Sequence, residues 1–158
     1  MSRKFLLTVI LAALVAFSLF SAPGDGMAGD PMQSDTARAN SDTAVVAQEG
    51  YYSQPEEVAA YIHEFGRLPG NYLTKGEAMD LGWDSEEGNL WEVTDGMSIG
   101  GDRFGNYEGL LPEAPGRVWH ECDVNYDGGY RGGERLVYSS DGLVYYTEDH
   151  YESFVKFY

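Results

Sequence analysis

From Val118 to Thr147 the sequence alternates in a way that only a half-buried sheet can use. Val118, His120, Cys122 and Val124 fall on one parity, and Trp119, Glu121 and Asp123 on the other. Successive side chains of a strand point to opposite faces, so this pattern predicts one face packed and one face free. Asp127-Gly128-Gly129 predicts a turn, Arg135 to Ser139 a second strand, Ser140-Asp141-Gly142 a tight hairpin, and Leu143 to Thr147 the returning strand. A last short strand is predicted near Phe154 to Phe157. Upstream the period changes. Val58, Ile62 and Phe65 are spaced by four and three, with Pro55 and a Ser53–Glu56 capping pattern before them and Gly66 after. Thr74 with Glu77 opens a second, shorter helix that stops at Leu81-Gly82, and Asn89 to Val93 predicts a third brief piece. Helices first and strands after imply an α+β fold, with N-terminal helices packed on one face of a C-terminal antiparallel β-sheet. If Cys122, Val124, Leu136 and Tyr138 face the helices, Glu121 and Arg135 share the opposite face, where the candidate active site is expected.

The first residues read as a targeting segment. Arg3 and Lys4 precede the uncharged run Phe5 to Phe20, and small residues follow. That order predicts a signal peptide over residues 1–28, cleaved after Ala22 or Ala28, and hence a secreted protein that leaves the membrane on cleavage. An uncleaved anchor is the alternative, although the run falls short of the roughly 20 apolar residues a span uses. Residues 29–49 are poor in aromatics and rich in Asp, Ser, Ala and Thr. Such a stretch cannot bury enough surface to offset its ordering entropy, and it predicts a disordered leader or pro-segment. The folded domain is expected over residues 50–158.

The net charge is −16, nearly all of it within residues 49–158. This excludes tight, nonspecific nucleic-acid binding, which depends on Lys and Arg neutralising phosphates. Any phosphate site must be a positive island. The single cysteine, Cys122, excludes an intramolecular disulfide, and its place on the packed parity predicts a small buried side chain rather than a reactive thiol.

Four groups in the last forty residues invite a chemical reading. Glu121, Arg131, Arg135 and His150 comprise a carboxylate, two guanidiniums and an imidazole. A carboxylate and an imidazole can be tuned to trade protons near neutral pH. Guanidiniums suit phosphate oxygens, and Lys75 at a helix start adds a third cation. Together they fit proton transfer across a phosphodiester. Bland readings compete: a strand carboxylate is commonly solvated or paired, and a lone histidine beside Asp149 is commonly a surface group. His63 and His120 read as structural. Glycoside hydrolysis needs a second facing carboxylate at a set separation, and nothing specifies one beside Glu121. A non-catalytic interaction module with an acidic surface also stays open on pattern alone.

The ordered stretches LPGNYLTKGEAMDLGW, GNL, SIGGDRFGNYEG, GRVWHECDVNY, GYR, ERLVYSSDGLVY and TEDHY carry more than pattern. Over residues 50–158 they resemble the barnase-like, guanyl-preferring bacterial ribonucleases. The resemblance implies Glu121 as general base, His150 as general acid, and Lys75, Arg131 and Arg135 as phosphate-stabilising cations. It implies that Asp102 pairs with and positions those cations, and that Tyr151 borders the substrate beside the acid. The loop Phe104-Gly105-Asn106-Tyr107-Glu108 matches the guanine pocket, and Arg117 with Asp141 a structural ion pair nearby. The implied reaction cleaves single-stranded RNA to a 2′,3′-cyclic phosphate and then hydrolyses it, with no metal or other cofactor and as a monomer. A barstar-like inhibitor is the implied protein partner. Tyr107 departs from the pattern, because that loop often carries an arginine there.

Overall fold

The computed structural model describes residues 44–158, so the signal-peptide reading and most of the leader fall outside the described residues. The order of elements is α1 (Pro55–Phe65), β1 (Tyr72–Leu73), α2 (Lys75–Asp80), α3 (Leu90–Val93), β2 (Ser98–Phe104), β3 (Trp119–Asp123), β4 (Arg135–Ser139), β5 (Val144–Thr147) and β6 (Val155–Lys156). The strands form one six-stranded sheet in the order β1-β2-β3-β4-β5-β6. Only β1 to β2 is parallel; every other pairing is antiparallel. The fold is α+β.

Local chemistry explains most element ends. Pro55 opens α1, and Gly66 closes it at φ 66°, its N–H donating to the Ile62 carbonyl. Left-handed closure of this kind is cheap for glycine. The expected Ser53–Glu56 box does not form: Gln54 is the N-cap and no side chain caps the helix. Ser53 instead uses its carbonyl to accept from Asn125 N–H at 2.7 Å, tying the helix entry to the end of β3. The second box does form, with Thr74 and Glu77 satisfying each other's backbone donors. Residues just before 50 already pack on α1, where the Tyr61 hydroxyl donates to the Gln48 carbonyl at 2.7 Å.

The core divides in three. Val58, Ala59 and Ile62 of α1 pack on Cys122, Leu136 and Val144 of the sheet. The shorter helices α2 and α3 belong to a second cluster with Leu73, Ile99 and Tyr126. The third cluster is Leu111, Trp119 and Val137, flanked by Phe104, Tyr151 and Phe154. Each fully buried aliphatic side chain contributes roughly 1.5–3 kcal/mol. Because β3 and β4 are in register, Cys122 opposite Leu136 and Asp123 opposite Arg135, pleating puts Glu121, Asp123 and Arg135 on the parity away from Cys122. That side is no bare surface, since the third cluster covers part of it with loop residues.

Candidate active site

Glu121 stands in mid-strand on β3 and is only 7% exposed. A buried carboxylate survives only with partners, and it has two. Lys75 Nζ, on the first residue of α2, lies 2.5 Å from Oε1, and the Tyr151 hydroxyl donates to Oε2. Burial pushes the Glu121 carboxyl towards the neutral form. The Lys75 and Tyr151 hydrogen bonds, with the Lys75 and Arg131 charges, more than reverse that push and hold it below the ordinary glutamate value. Burial, then the hydrogen bond to Glu121 and that group's charge, push the Tyr151 phenol well above its usual range, so it stays a donor.

A second carboxylate organises the guanidiniums. Asp123, 1% exposed, takes Arg131 in a two-pronged grip, Nε to Oδ2 at 2.7 Å and Nη2 to Oδ1 at 2.6 Å. Arg135 Nε lies 2.9 Å from the same Oδ1, but off the hydrogen-bond line, so that nitrogen has no acceptor and the contact is electrostatic. Arg135 Nη1 donates to the Gly132 and Glu134 carbonyls at 2.9 and 2.7 Å. Burial works against the Arg131 charge, and Asp123 more than restores it, leaving the guanidinium more firmly protonated than usual. Sequence reasoning missed Asp123. Its signal lies in strand register rather than in the local sequence: with Cys122 opposite Leu136, Asp123 stands directly opposite Arg135.

Asp102 does part of what the resemblance implies, positioning one of the cations, Lys75. Its Oδ2 accepts the Lys75 backbone N–H at 2.9 Å, so it fixes the start of α2 and through it the lysine. Pairing with the arginines falls to Asp123.

His150 sits in the loop after β5, exposed, with φ 57°, and Tyr151 follows at φ 76°. Two successive non-glycine residues in the left-handed region are strained. The loop holds them with Asp149, whose carboxylate accepts from Thr147 Oγ1 at 2.8 Å, Ser153 N–H at 2.9 Å and Ser153 Oγ at 2.5 Å. Thr147 Oγ1 also accepts Tyr151 N–H at 3.0 Å. The Ser153 and Thr147 hydrogen bonds hold the Asp149 carboxyl down at about 2.

Glu121, His150 and Tyr151 line one cleft with Phe104, Tyr107 and Glu108, of about 530 Å³. His150 also lines an adjoining hollow with Arg131 and Arg135. The Phe104 and Tyr151 rings lie 5.0 Å apart between centroids and form the aromatic wall of the cleft that holds Glu121. In the loop, the Asn106 side chain exchanges hydrogen bonds with Leu111 N–H and C=O, both at 3.0 Å, and donates to Glu113. Its amide thus shapes the loop and only its backbone is free to meet a ligand. Tyr107 is 94% exposed, its ring over Gly105, where a methyl group would collide with it. Arg117 grips Asp141 through Nε and Nη2 at 2.8 and 2.6 Å and holds the Pro112 carbonyl through Nη1. His63 stacks on Tyr158 at 4.1 Å, and His120 on Tyr138 at 5.7 Å with Nδ1 3.0 Å from the Gly101 carbonyl. Neither lines this cleft. Among the described residues, no three His, Cys, Asp or Glu side chains gather to hold a metal ion.

Known proteins match the chain along most of its length. The ribonuclease family profile matches residues 55–158. A ribonuclease of Bacillus intermedius is 43% identical over 162 residues, covering 98% of each chain. A ribonuclease of Heyndrickxia coagulans is 56% identical over 99 residues, 63% of this chain and 91% of the relative. Guanyl-specific ribonuclease St of Saccharopolyspora erythraea is 46% identical over 55 residues, 34% of this chain and 54% of that one. With a buried, cation-paired carboxylate and a histidine lining one cleft of an α+β domain, these matches show that the chain belongs to the microbial ribonuclease family, as a barnase-like endoribonuclease.

Proposed function

We propose that this endoribonuclease is secreted, acts as a monomer on single-stranded RNA, prefers guanine on the 3′-phosphate side, and needs no metal. The observation that carries the reading is the Glu121 carboxylate, kept ionised by Lys75 and Tyr151 in the cleft that His150 and the Phe104–Glu108 loop share. In the first step the ribose 2′ oxygen attacks phosphorus while Glu121 takes the 2′-hydroxyl proton. The bond from phosphorus to the 5′ oxygen breaks, and His150 supplies that oxygen with a proton. In the second step water attacks the 2′,3′-cyclic phosphate with the two roles exchanged. A positioned proton-transfer group supplies about 10²–10⁴-fold. Lys75, Arg131 and Arg135 offset charge growing on the phosphoryl oxygens, commonly the largest catalytic contribution. Glu108 suits the N1 and N2 hydrogens of guanine, and the loop's backbone amides suit its O6. One relative's name, guanyl-specific, supports that preference. Secretion is supported by the charged, apolar and small-residue order of the first 28 positions. A barstar-like inhibitor fits the family resemblance, but Tyr107 stands where an arginine is common and removes a positive charge that an acidic inhibitor would meet.

The test is turnover of a guanosine-containing dinucleotide in the presence of a chelator, following the cyclic phosphate. Wild type is expected to accumulate and then consume it, with Glu121→Ala and His150→Ala each slower by about 10²–10⁴-fold. Folded wild type that fails to cleave would favour an acidic interaction module instead.

A further inference from the structure

A hollow larger than the cleft that holds Glu121 opens elsewhere on the molecule, against the end of α1. It measures about 650 Å³ and is lined by His63 and Arg67 at the helix end and by His120 on β3, with Ile62, Leu68 and Tyr138. It shares no residue with either hollow that His150 lines. His120 and Glu121 are neighbours on one strand, so pleating sends them to opposite faces of the sheet. A volume of this order suits a small ligand.

The lining runs against the charge of the molecule. The chain carries 26 acidic residues against 10 Lys and Arg, yet among the described residues no Asp or Glu lines this hollow, and two of the three histidines do. The acids beside its lining residues in sequence are engaged elsewhere: Glu121 with Lys75 and Tyr151, Asp102 with the start of α2, and Asp141 with Arg117. Glu64 lines a separate hollow. Each basic group is also held by a neighbour. His63 stacks on Tyr158. The Arg67 guanidinium lies 5.5 Å over the centre of the Tyr61 ring, and its Nη1 donates to the Leu68 carbonyl at 3.3 Å. His120 stacks on Tyr138 with Nδ1 against the Gly101 carbonyl. A carbonyl only accepts, so Nδ1 donates there and Nε2 is left for a ligand. Among the described residues none of the three is in an ion pair. Groups fixed in advance and left unpaired lose little freedom on meeting an anion.

We propose that this hollow is a second anion site, separate from the cleft of Glu121 and His150, which holds the phosphate of a mononucleotide among Arg67, His63 and His120. The guanidinium fork suits phosphate oxygens. An anion beside His120 favours its protonated ring, a donor at both nitrogens. The wall of Ile62, Leu68 and Tyr138 is apolar and partly aromatic, which suits a base without selecting one. Phosphate-bearing nucleotides are also the chemistry that an endoribonuclease leaves around itself. The proposal does not depend on the roles given to Glu121 and His150.

The test titrates wild type, Arg67→Gln and Arg67→Lys with adenosine 3′-phosphate, adenosine and inorganic phosphate, following the imidazole signals by NMR. The chain has three histidines, so His63 and His120 report on this hollow and His150 on the other site. Adenosine 3′-phosphate is expected to shift the His63 and His120 signals together, and adenosine to leave them in place. Arg67→Gln should weaken that binding about tenfold, the loss of one charge-assisted hydrogen bond, with the His150 titration and dinucleotide turnover unchanged. Arg67→Lys, which keeps the charge, should recover most of it. Shifts confined to His150, or His63 and His120 shifts that are the same in wild type and Arg67→Gln, overturn the site. Inorganic phosphate binding there as tightly as the nucleotide overturns the mononucleotide as its occupant. Wild type that binds in this way but cleaves nothing removes the catalytic reading and leaves the site standing.

Discussion

The proposed proton acceptor, Glu121, and the proposed proton donor, His150, are built in opposite ways. Glu121 sits in mid-strand, almost out of water, with both oxygens bound and the Asp123–Arg131–Arg135 cluster on the same side of the sheet. His150 is exposed, on a loop, in a strained backbone conformation held by Asp149 and Thr147. The contrast fits what each would do in the proposed reaction. A carboxylate below its ordinary pKa is ionised across the working range, and burial among cations fixes where it points. An exposed imidazole on a loop can be reached by both substrate and water, as the two proposed steps require. Stability is concentrated on one side of the chemistry and adjustability on the other.

The largest test of that division is Asp123→Asn. It strips the counter-charge from Arg135, which is 3% exposed, and loosens Arg131. Breaking a buried pair by removing one partner costs about 3–5 kcal/mol, so the urea midpoint should fall clearly and activity with it. An unchanged midpoint would show that the base side is not the stiff one. Next in size is Lys75→Met. Burial raises the Glu121 carboxyl and the lysine is the chief opposing partner, so removing it moves that pKa up. The acidic limb of the kcat/KM profile should shift to higher pH in the variant; a limb that stays put would assign it to another group. The smallest effect on folding is expected from Asp149→Asn. Its carboxyl is held at about 2, below the ordinary value near 3.9, so its ordering effect is complete above the ordinary value and fades as pH falls through about 2. The variant should lose turnover several-fold at neutral pH with a nearly unchanged urea midpoint. A large midpoint loss would erase the contrast.

Much of this was legible before any coordinates. The alternation through Trp119–Asp123 and Arg135–Ser139 is strict, and both strands lie where it puts them. The Thr74–Glu77 box is local chemistry and forms as written. β2 was missed because SIGGDRF carries two adjacent glycines and breaks the alternation. Its pairing with β3 slips between Gly100 and Arg103, and Gly101 has φ 97°. Glycine in a strand reads as a turn until the neighbour is known. At Ser53 the pattern fitted a cap, but a long-range bond to Asn125 claimed the backbone there. The cleft residues were legible through family resemblance, whereas the division of labour between Asp102 and Asp123 was not. Among 26 acidic residues, one aspartate on a strand has no local mark, and only register reveals which cation it meets.

Cys122 carries one more consequence. Its side chain is 1% exposed between α1 and the sheet, and a methyl group on Gly100 would come within 2.5 Å of its Cβ. Burial, with Asp123 nearby, pushes the thiol far above its ordinary range, so thiolate is scarce. The folded protein can therefore be kept in air without reductant and will not cross-link through sulfur. An alkylating reagent meets Cys122 only when α1 lifts from the sheet, which makes its labelling rate a built-in clock for opening events.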